Sequence, residues 1–161
     1  MTPENPRISA IICTHNRVDY LPKAVSSLMN QTLSKDLYEI VIIDNASTDG
    51  TNEVVKSQFG HVKNLRYVQE PKLGISHARN RGIQEARAPF LMYIDDDARA
   101  LPGTLEAALK AFETCEPTPE ALGGRIWLDW ENHKPDWVPD RYLNLFTHLD
   151  YGDKSFFLEE D

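Results

Sequence analysis

The 161-residue sequence predicts an α/β protein with a mostly parallel central sheet covered on both faces by helices. Three observations lead there. Apolar runs of strand length alternate along the chain with stretches whose apolar residues recur at helical spacing. The run Ile40, Val41, Ile42, Ile43 is contiguous rather than alternating, as in a strand buried on both faces. Polar clusters at Thr14 to Arg17, Asp44 to Ser47 and Asp95 to Asp97 each follow a predicted strand, the end of such sheets at which ligands sit.

Ile8 to Cys13 reads as the first strand, followed by the helix-unfriendly Thr14, His15, Asn16. Leu21, Ala24, Val25, Leu28 and Met29 then form the stripe of an amphipathic helix, and Pro22 fits only its first turn, so the helix starts near Asp19 or Tyr20. Glu39 to Asp44 is the second strand. Asn45 to Gly50 supplies turn and capping chemistry before a short helix carrying Val54, Val55 and Phe59. Leu65 to Gln69 makes a third strand, ended by Pro71 to Gly74. Ile75, Ala78, Gly82, Ile83 and Ala86 mark one face of a third helix, with His77, Arg79, Arg81 and Arg87 on the other, and Pro89 closes it. Leu91 to Ile94 is the fourth strand. Pro102 opens a fourth helix on the stripe Leu105, Ala108, Leu109, Phe112. A fifth strand is expected from Leu122 or Gly124 to Trp130, and Pro135 and Pro139 punctuate the aromatic segment beyond it.

Length allows one domain with a core of its own. The formal net charge of −8 is uneven: residues 1–128 carry 16 acids and 14 bases, residues 129–161 carry 9 and 3, so the acidity belongs to the tail. The chain lacks the basic face that nucleic-acid binding requires. Cys13 and Cys115 are too few and too distant in sequence for a disulfide framework or a thiolate zinc site, which suits a reducing, cytoplasmic setting. Met1 to Pro6 is polar and lacks a signal core, and no run approaches the roughly 20 apolar residues of a membrane span.

The stretch from Leu91 to Asp97 runs an apolar strand into three consecutive carboxylates. Like charges at a sheet edge cannot all stay ionised without a compensating cation. Taken alone, the triplet also suits a solvated acidic turn. If the chain stays extended, Asp95 and Asp97 share one side and Asp96 takes the other, and two hard oxygen ligands so spaced suit Mg²⁺ or Mn²⁺.

Four motifs in order, Ser9 to Arg17 (SAIICTHNR), Ile43 to Thr51 (IDNASTDGT), Gly74 to Gly82 (GISHARNRG) and Tyr93 to Asp97 (YIDDD), resemble the N-terminal part of the family 2 glycosyltransferases of GT-A type over roughly residues 7–125. The resemblance implies a Rossmann-like three-layer sandwich and a nucleotide-sugar site. It implies that Cys13, Thr14, His15, Asn16 and Arg17 line the nucleotide, that Asp44 bonds the base or ribose with Asn45 and Ser47 beside it, and that Gly74 to Asn80 closes the other side with Arg79 in reach. Asn45 departs from the family's commonest pattern of two adjacent aspartates, and an amide donates as well as accepts. Asp95, Asp96 and Asp97 would form a D-x-D motif, Asp97 as direct metal ligand and Asp95 toward the ribose or sugar. All these side chains would converge on one hollow.

The implied reaction moves a glycosyl group from a nucleoside diphosphate sugar, a UDP-sugar first, to a saccharide or lipid-linked acceptor hydroxyl with inversion. The general base is expected beyond residue 161, the chain being read as a fragment with a donor half at 1–125 and the start of an acceptor side at 126–161; Asp129, Glu131 and Asp136 are the substitutes within it. The last residues, Phe156 to Asp161, show no closing helix. Trp127, Trp130 and Trp137 suit either a sugar ring or packing, and Arg81 suits a solvated helix face. Two other classes remain. A metal-dependent nucleotidyltransferase would want a Gly-rich loop after the first strand, which Cys13 to Arg17 lacks. A non-catalytic acidic Mg²⁺-binding module would leave the motifs at 44–50 and 74–82 without a purpose.

Overall fold

The computed structural model describes residues 5–152, 154, 156 and 157; the expectations about the first four residues and the last four lie outside them. The chain divides into two compact units, residues 1–119 and 120–161.

The first unit alternates strand and helix throughout: β1 (Ile8–Thr14), α1 (Leu21–Met29), β2 (Tyr38–Asp44), α2 (Thr51–Phe59), β3 (Leu65–Gln69), α3 (Ile75–Glu85), β4 (Phe90–Asp95) and α4 (Thr104–Thr114). The strands form one all-parallel sheet in the order β3-β2-β1-β4. After β1 the chain steps to one side through β2 and β3 and then returns to the other side with β4, so strand order reverses between β1 and β4. That reversal opens a crevice beyond the carboxyl ends of the two strands.

Side-chain parity sorts the core into two layers. Ile8, Ala10, Ile12, Ile40 and Ile42 pack with Leu21, Val25 and Leu28 of α1, Val55 and Phe59 of α2, and Leu105 of α4. Ile11, Val41 and Ile43 face the opposite way, onto Ala78 of α3. The sheet is therefore buried on both faces, which is why β2 has no polar alternation. Pro22 sits in the first turn of α1, where its missing N–H costs nothing.

α3 follows the expected helix but buries a narrower seam. Only Ala78 and Gly82 are fully buried, while Ile75 and Ile83 are exposed. The reason is a close approach to the sheet: a Cβ on Gly82 would stand 2.8 Å from Ile11 Cγ2 and 3.3 Å from the Tyr93 hydroxyl. A helix this near its sheet touches it along one line of small residues. The far end of α3 is held by a buried ion pair that the sequence does not advertise. Glu39, 0% exposed in the middle of the sheet's entry edge, accepts from Ser9 Oγ (2.7 Å), Arg66 Nε (3.0 Å) and the Arg87 backbone N–H (2.8 Å). Arg66 also bonds Glu85 at the end of α3 (3.1 Å), so both charges are compensated where an unpaired one would be prohibitive.

The second unit corrects the expected fifth strand. Leu122 to Trp130 forms no strand; Ile126 makes a single antiparallel bridge with Leu149, with 2.9 Å bonds both ways. Gly123 and Gly124 bring no side chain to pack, and the segment before them opens on Pro117 and Pro119, so nothing rewards an extended ladder. A 3₁₀ helix spans Asp140–Phe146. Trp130 packs edge-to-face on Phe146 at 5.7 Å, whereas Trp127 and Trp137 are exposed. No helix among the described residues is long and apolar enough to cross a membrane.

Gly82→Ala is expected to destabilise the first unit by about 1–3 kcal/mol, because the new methyl meets Ile11 and must push α3 off the sheet. A lowered thermal midpoint by circular dichroism checks it; an unchanged midpoint would show that the seam tolerates the methyl.

Candidate functional site at the strand ends

Parallel register places the motif residues in one row. Thr14 pairs with Asp44 across β1 and β2, and Cys13 pairs with Asp95 across β1 and β4. Asp44 and Asp95 thus flank the end of β1, about 10 Å apart by ordinary strand spacing. Arg17, from the loop after β1, reaches Asp97 at 3.6 Å. Asp44 and Asp97 are brought to the same edge through that loop.

The loop after β1 is stitched to the loop after β2. Asn16, at φ 52°, takes the left-handed turn that an asparagine tolerates. Its backbone N–H donates to Ser47 Oγ (3.0 Å), and its side-chain oxygen accepts from the Thr48 N–H (2.8 Å). Two residues on, the Val18 N–H donates to Asp49 Oδ2 (2.9 Å), while Asp49 Oδ1 accepts from the Thr51 hydroxyl (2.6 Å). What burial Asp49 has pushes its carboxyl up, but the Thr51 and Val18 donors outweigh it and hold the group below its usual range. His15 Nδ1 lies 2.7 Å from the Asn45 carbonyl and its Nε2 3.2 Å from Asn16 Nδ2, a pair satisfied when the proton sits on Nδ1.

Asp44 is 1% exposed and has a partner on each carboxylate oxygen. Oδ1 accepts from the Ser47 N–H at 3.0 Å, and Oδ2 accepts a short bond from the Tyr67 hydroxyl of β3. Burial, together with the carboxylate beside it, drives the Tyr67 hydroxyl's pKa well above normal, so it remains a donor. Asn45 is also buried. Its amide donates to the carbonyls of Glu70 (3.1 Å) and Lys72 (2.7 Å), and its oxygen accepts from the Gly74 N–H (2.7 Å). Both residues, expected beside the nucleoside, are engaged inside the protein and form the floor and wall of the site. Gly74 holds φ 135° at the entry of α3, a conformation closed to other residues without strain.

The acidic triplet does not stay extended. β4 ends at Asp95, and the Ala98 N–H returns to the Asp95 carbonyl at 3.1 Å, closing a turn. Three adjacent carboxylates repel less when the chain curls and lets two of them reach water. Exposure still alternates as expected: Asp95 and Asp97 are open and Asp96 is half-buried. Burial raises the Asp96 pKa; the neighbouring Thr14 hydroxyl and Arg17 oppose this, while Asp97 and Asp95 add to it. Thr14 Oγ1 is itself buried without a well-formed hydrogen bond, although it lies near enough to Asp96 to favour its charged form. Asp95 and Asp97 supply two hard, solvent-facing oxygen donors, a set that fits Mg²⁺ or Mn²⁺ when phosphate and water complete the shell. Among the described residues no group of three or more His, Cys, Asp or Glu forms a metal cage.

Arg79 is exposed at the first turns of α3 and close enough to Cys13 to act on it electrostatically; its carbonyl accepts from the Tyr93 hydroxyl (2.7 Å). Arg81 is paired along the helix with Glu85 at 2.8 Å. At the strand ends His15, Asn16, Arg17, Asp95 and Asp97 all face solvent, so this edge is an open shelf. Shallow hollows lie elsewhere in the first unit, one of about 290 Å³ beside Lys35, His61 and Lys63 at the other end of the strands, one of about 400 Å³ against Lys23 and Ser26 of α1 and Asn30 just beyond it.

The family model described as Glycosyl transferase family 2 matches residues 9–148. The validoxylamine A glucosyltransferase of Streptomyces hygroscopicus subsp. jinggangensis (strain 5008) is 32% identical, over 93% of this chain and 41% of its own length. The crystal structure of S. aureus TarS 1-349 in complex with UDP aligns with a TM-score of 0.62 at 28% identity, over 66% of this chain and 32% of that one. The mannosyltransferase PcManGT from Pyrobaculum calidifontis, in complex with GDP-Man and Mn²⁺, aligns with a TM-score of 0.55 at 29% identity, over 61% and 30%. These structures have the GT-A fold, to which the α/β sheet described above conforms. The chain spans about two fifths of the length of the curated relatives it matches.

Cys13 gives a check on the floor of the shelf. Burial chiefly, with Asp95 and Asp96 adding and Arg79 opposing, pushes its thiol up to about 11. Only the thiolate attacks an alkylating agent, so iodoacetamide at about pH 8 should label Cys13 many times more slowly than an unhindered thiol, with a rate still climbing as pH rises. Peptide mass spectrometry reads both; labelling as fast as free cysteine would contradict the burial.

Proposed function

Because the chain belongs to glycosyl transferase family 2, we propose that its strand-end shelf binds a nucleoside diphosphate sugar, a UDP-sugar first, for transfer with inversion to an acceptor hydroxyl on a saccharide or lipid-linked molecule. The proposed setting is the cytoplasm, at the inner face of the membrane where the acceptor is lipid-linked. The observation that carries the reading is the row of Asp44, Thr14, Cys13 and Asp95 at the carboxyl ends of three adjacent parallel strands, with Asp97 one turn further on. The UDP-bound and GDP-Man-bound neighbours support a nucleotide there, and the Mn²⁺ in one of them supports a divalent cation.

In this reading Asp44 and Asn45, held by Ser47, Tyr67 and the 70–74 segment, fix the floor with the buried Thr14, and contact with the nucleoside falls to His15, Asn16 and the edge at Gly74. Asp97, with Asp95 nearer the ribose or sugar, would hold Mg²⁺ or Mn²⁺, which when bound neutralises the charge that develops on the departing diphosphate. Arg17 stands beside Asp97 and Arg79 beside Cys13, so the same edge offers fixed positive charge to the diphosphate oxygens. The exposed Arg17 to Asp97 pair is weak enough to yield to a stronger partner.

Calorimetric titration with UDP, GDP, dTDP and ATP, each with and without Mn²⁺, tests the proposal. A diphosphate, UDP foremost, is expected to bind only with the metal, and Asp97→Asn to weaken that binding by about tenfold or more. A preference for ATP would point to nucleotidyl transfer, and indifference to every nucleotide would point to an acidic module without a nucleotide ligand.

A further inference from the structure

We propose that Asn45 is the positioning residue of the shelf: its amide seats the 70–74 segment and so sets the wall against which the nucleotide rests, rather than reading the base. The inference rests on the nucleotide-binding reading above. Asn45 is 4% exposed, and every hydrogen-bonding group it has is in use within the protein. Its own N–H donates to the Thr14 carbonyl at 2.8 Å and its carbonyl receives His15 Nδ1 at 2.7 Å, which ties it to the loop after β1. Its side chain spans the other way. The two Nδ2 hydrogens go to the carbonyls of Glu70 and Lys72, and Oδ1 takes the N–H of Gly74. One residue therefore joins the ends of β1, β2 and β3 and the entry of α3.

The chemistry is specific to an amide. Two carbonyl acceptors and one N–H donor converge on the side chain, and only a group that carries two donors and one acceptor on neighbouring atoms satisfies all three. A carboxylate of the same shape would face two carbonyl oxygens with no proton to give, leaving like partial charges opposed in a buried position. Besides the amide, the segment is held at its start by the Glu70 N–H on the Asp44 carbonyl (2.8 Å) and within itself by the Lys72 N–H on the Glu70 carboxylate (2.8 Å). Pro71 has no N–H, Lys72 and Leu73 are exposed, and Gly74 adopts φ 135°. Without the amide, the Glu70 and Lys72 carbonyls and the Gly74 N–H lose the one side chain they share.

The substitution Asn45→Asp separates positioning from base reading, because a protonated carboxyl recovers one donor and a carboxylate has none. UDP and GDP affinities, measured with Mn²⁺ for both proteins at about pH 8 and about pH 5.5 and expressed as variant over wild type, are the readout. The variant is expected to bind both nucleotides at least about tenfold more weakly at the higher pH, with the UDP to GDP ratio unchanged, and to recover most of the loss at the lower pH. Amide hydrogen exchange at Gly74 should quicken in parallel. Where the aspartate variant does not fold, Asn45→Ser, whose shorter side chain has one hydroxyl donor in place of two amide donors and does not titrate, should weaken both nucleotides equally without recovery at low pH. Wild-type affinity and wild-type Gly74 exchange in the variants would overturn the proposal, as would a changed UDP to GDP ratio, which would make Asn45 a base reader. Failure of the wild-type protein to bind either nucleotide would instead overturn the functional reading, and Gly74 exchange would then decide the seating alone.

Discussion

Parallel pairing of β1 with a neighbour on each side is the constraint from which the site follows. A parallel ladder sends every strand out of the sheet at the same end, so the polar residues that terminate β1, β2 and β4 share an edge whatever the helices between them do. The register then decides which residues are adjacent. Were β1 shifted by one residue against β2, Thr14 would lose Asp44, and every buried isoleucine would turn to the opposite layer. The hydrophobic sorting that stabilises the fold and the alignment of the site are thus one requirement, enforced by Ile8 to Ile12 and Ile40 to Ile43.

On that edge the charges divide by burial. The buried acids, Asp44 and Glu39, have their oxygens engaged within the protein by donors from neighbouring strands and loops, so each is an internal fastening. The exposed acids, Asp95 and Asp97, face solvent, with Arg17 against Asp97 at 3.6 Å. Carboxylates that stand open to solvent at a strand end are the ones with capacity for an external cation. The same distinction separates Asn45, saturated by partners within the protein, from the solvent-facing His15, Asn16 and Arg17.

Much of this was legible in the sequence. Contiguous Ile40 to Ile43 betrayed a strand covered on both faces, Pro22 the start of α1, and Pro71 to Gly74 the break before α3. The acidic triplet pointed to the functional edge because it interrupts an apolar run. Three features were hidden. Tyr67 sits on Asp44 through the register of β3 against β2, a pairing that no local pattern encodes. Glu39 reads as the polar start of a strand and becomes a buried ion-pair partner only when Arg66 and the end of α3 arrive. The turn at Asp95 depends on repulsion and solvent access rather than on the strand's own alternation, so extending the period-2 pattern through the triplet misplaced its backbone. Leu122 to Trp130 has strand-like composition but no partner to make a ladder, and composition alone does not supply one.

Paramagnetic broadening by Mn²⁺ tests the central claim most directly, because it reports which amides surround a bound ion. In the presence of UDP, a low concentration of Mn²⁺ is expected to broaden the backbone amides of residues 95–98 together with those of 14–17, and to shift those of 44–48 and 74, marking one site assembled from three strand ends. Broadening confined to 95–98 with no response of the other two loops, or broadening centred on another part of the first unit, would contradict the shared site.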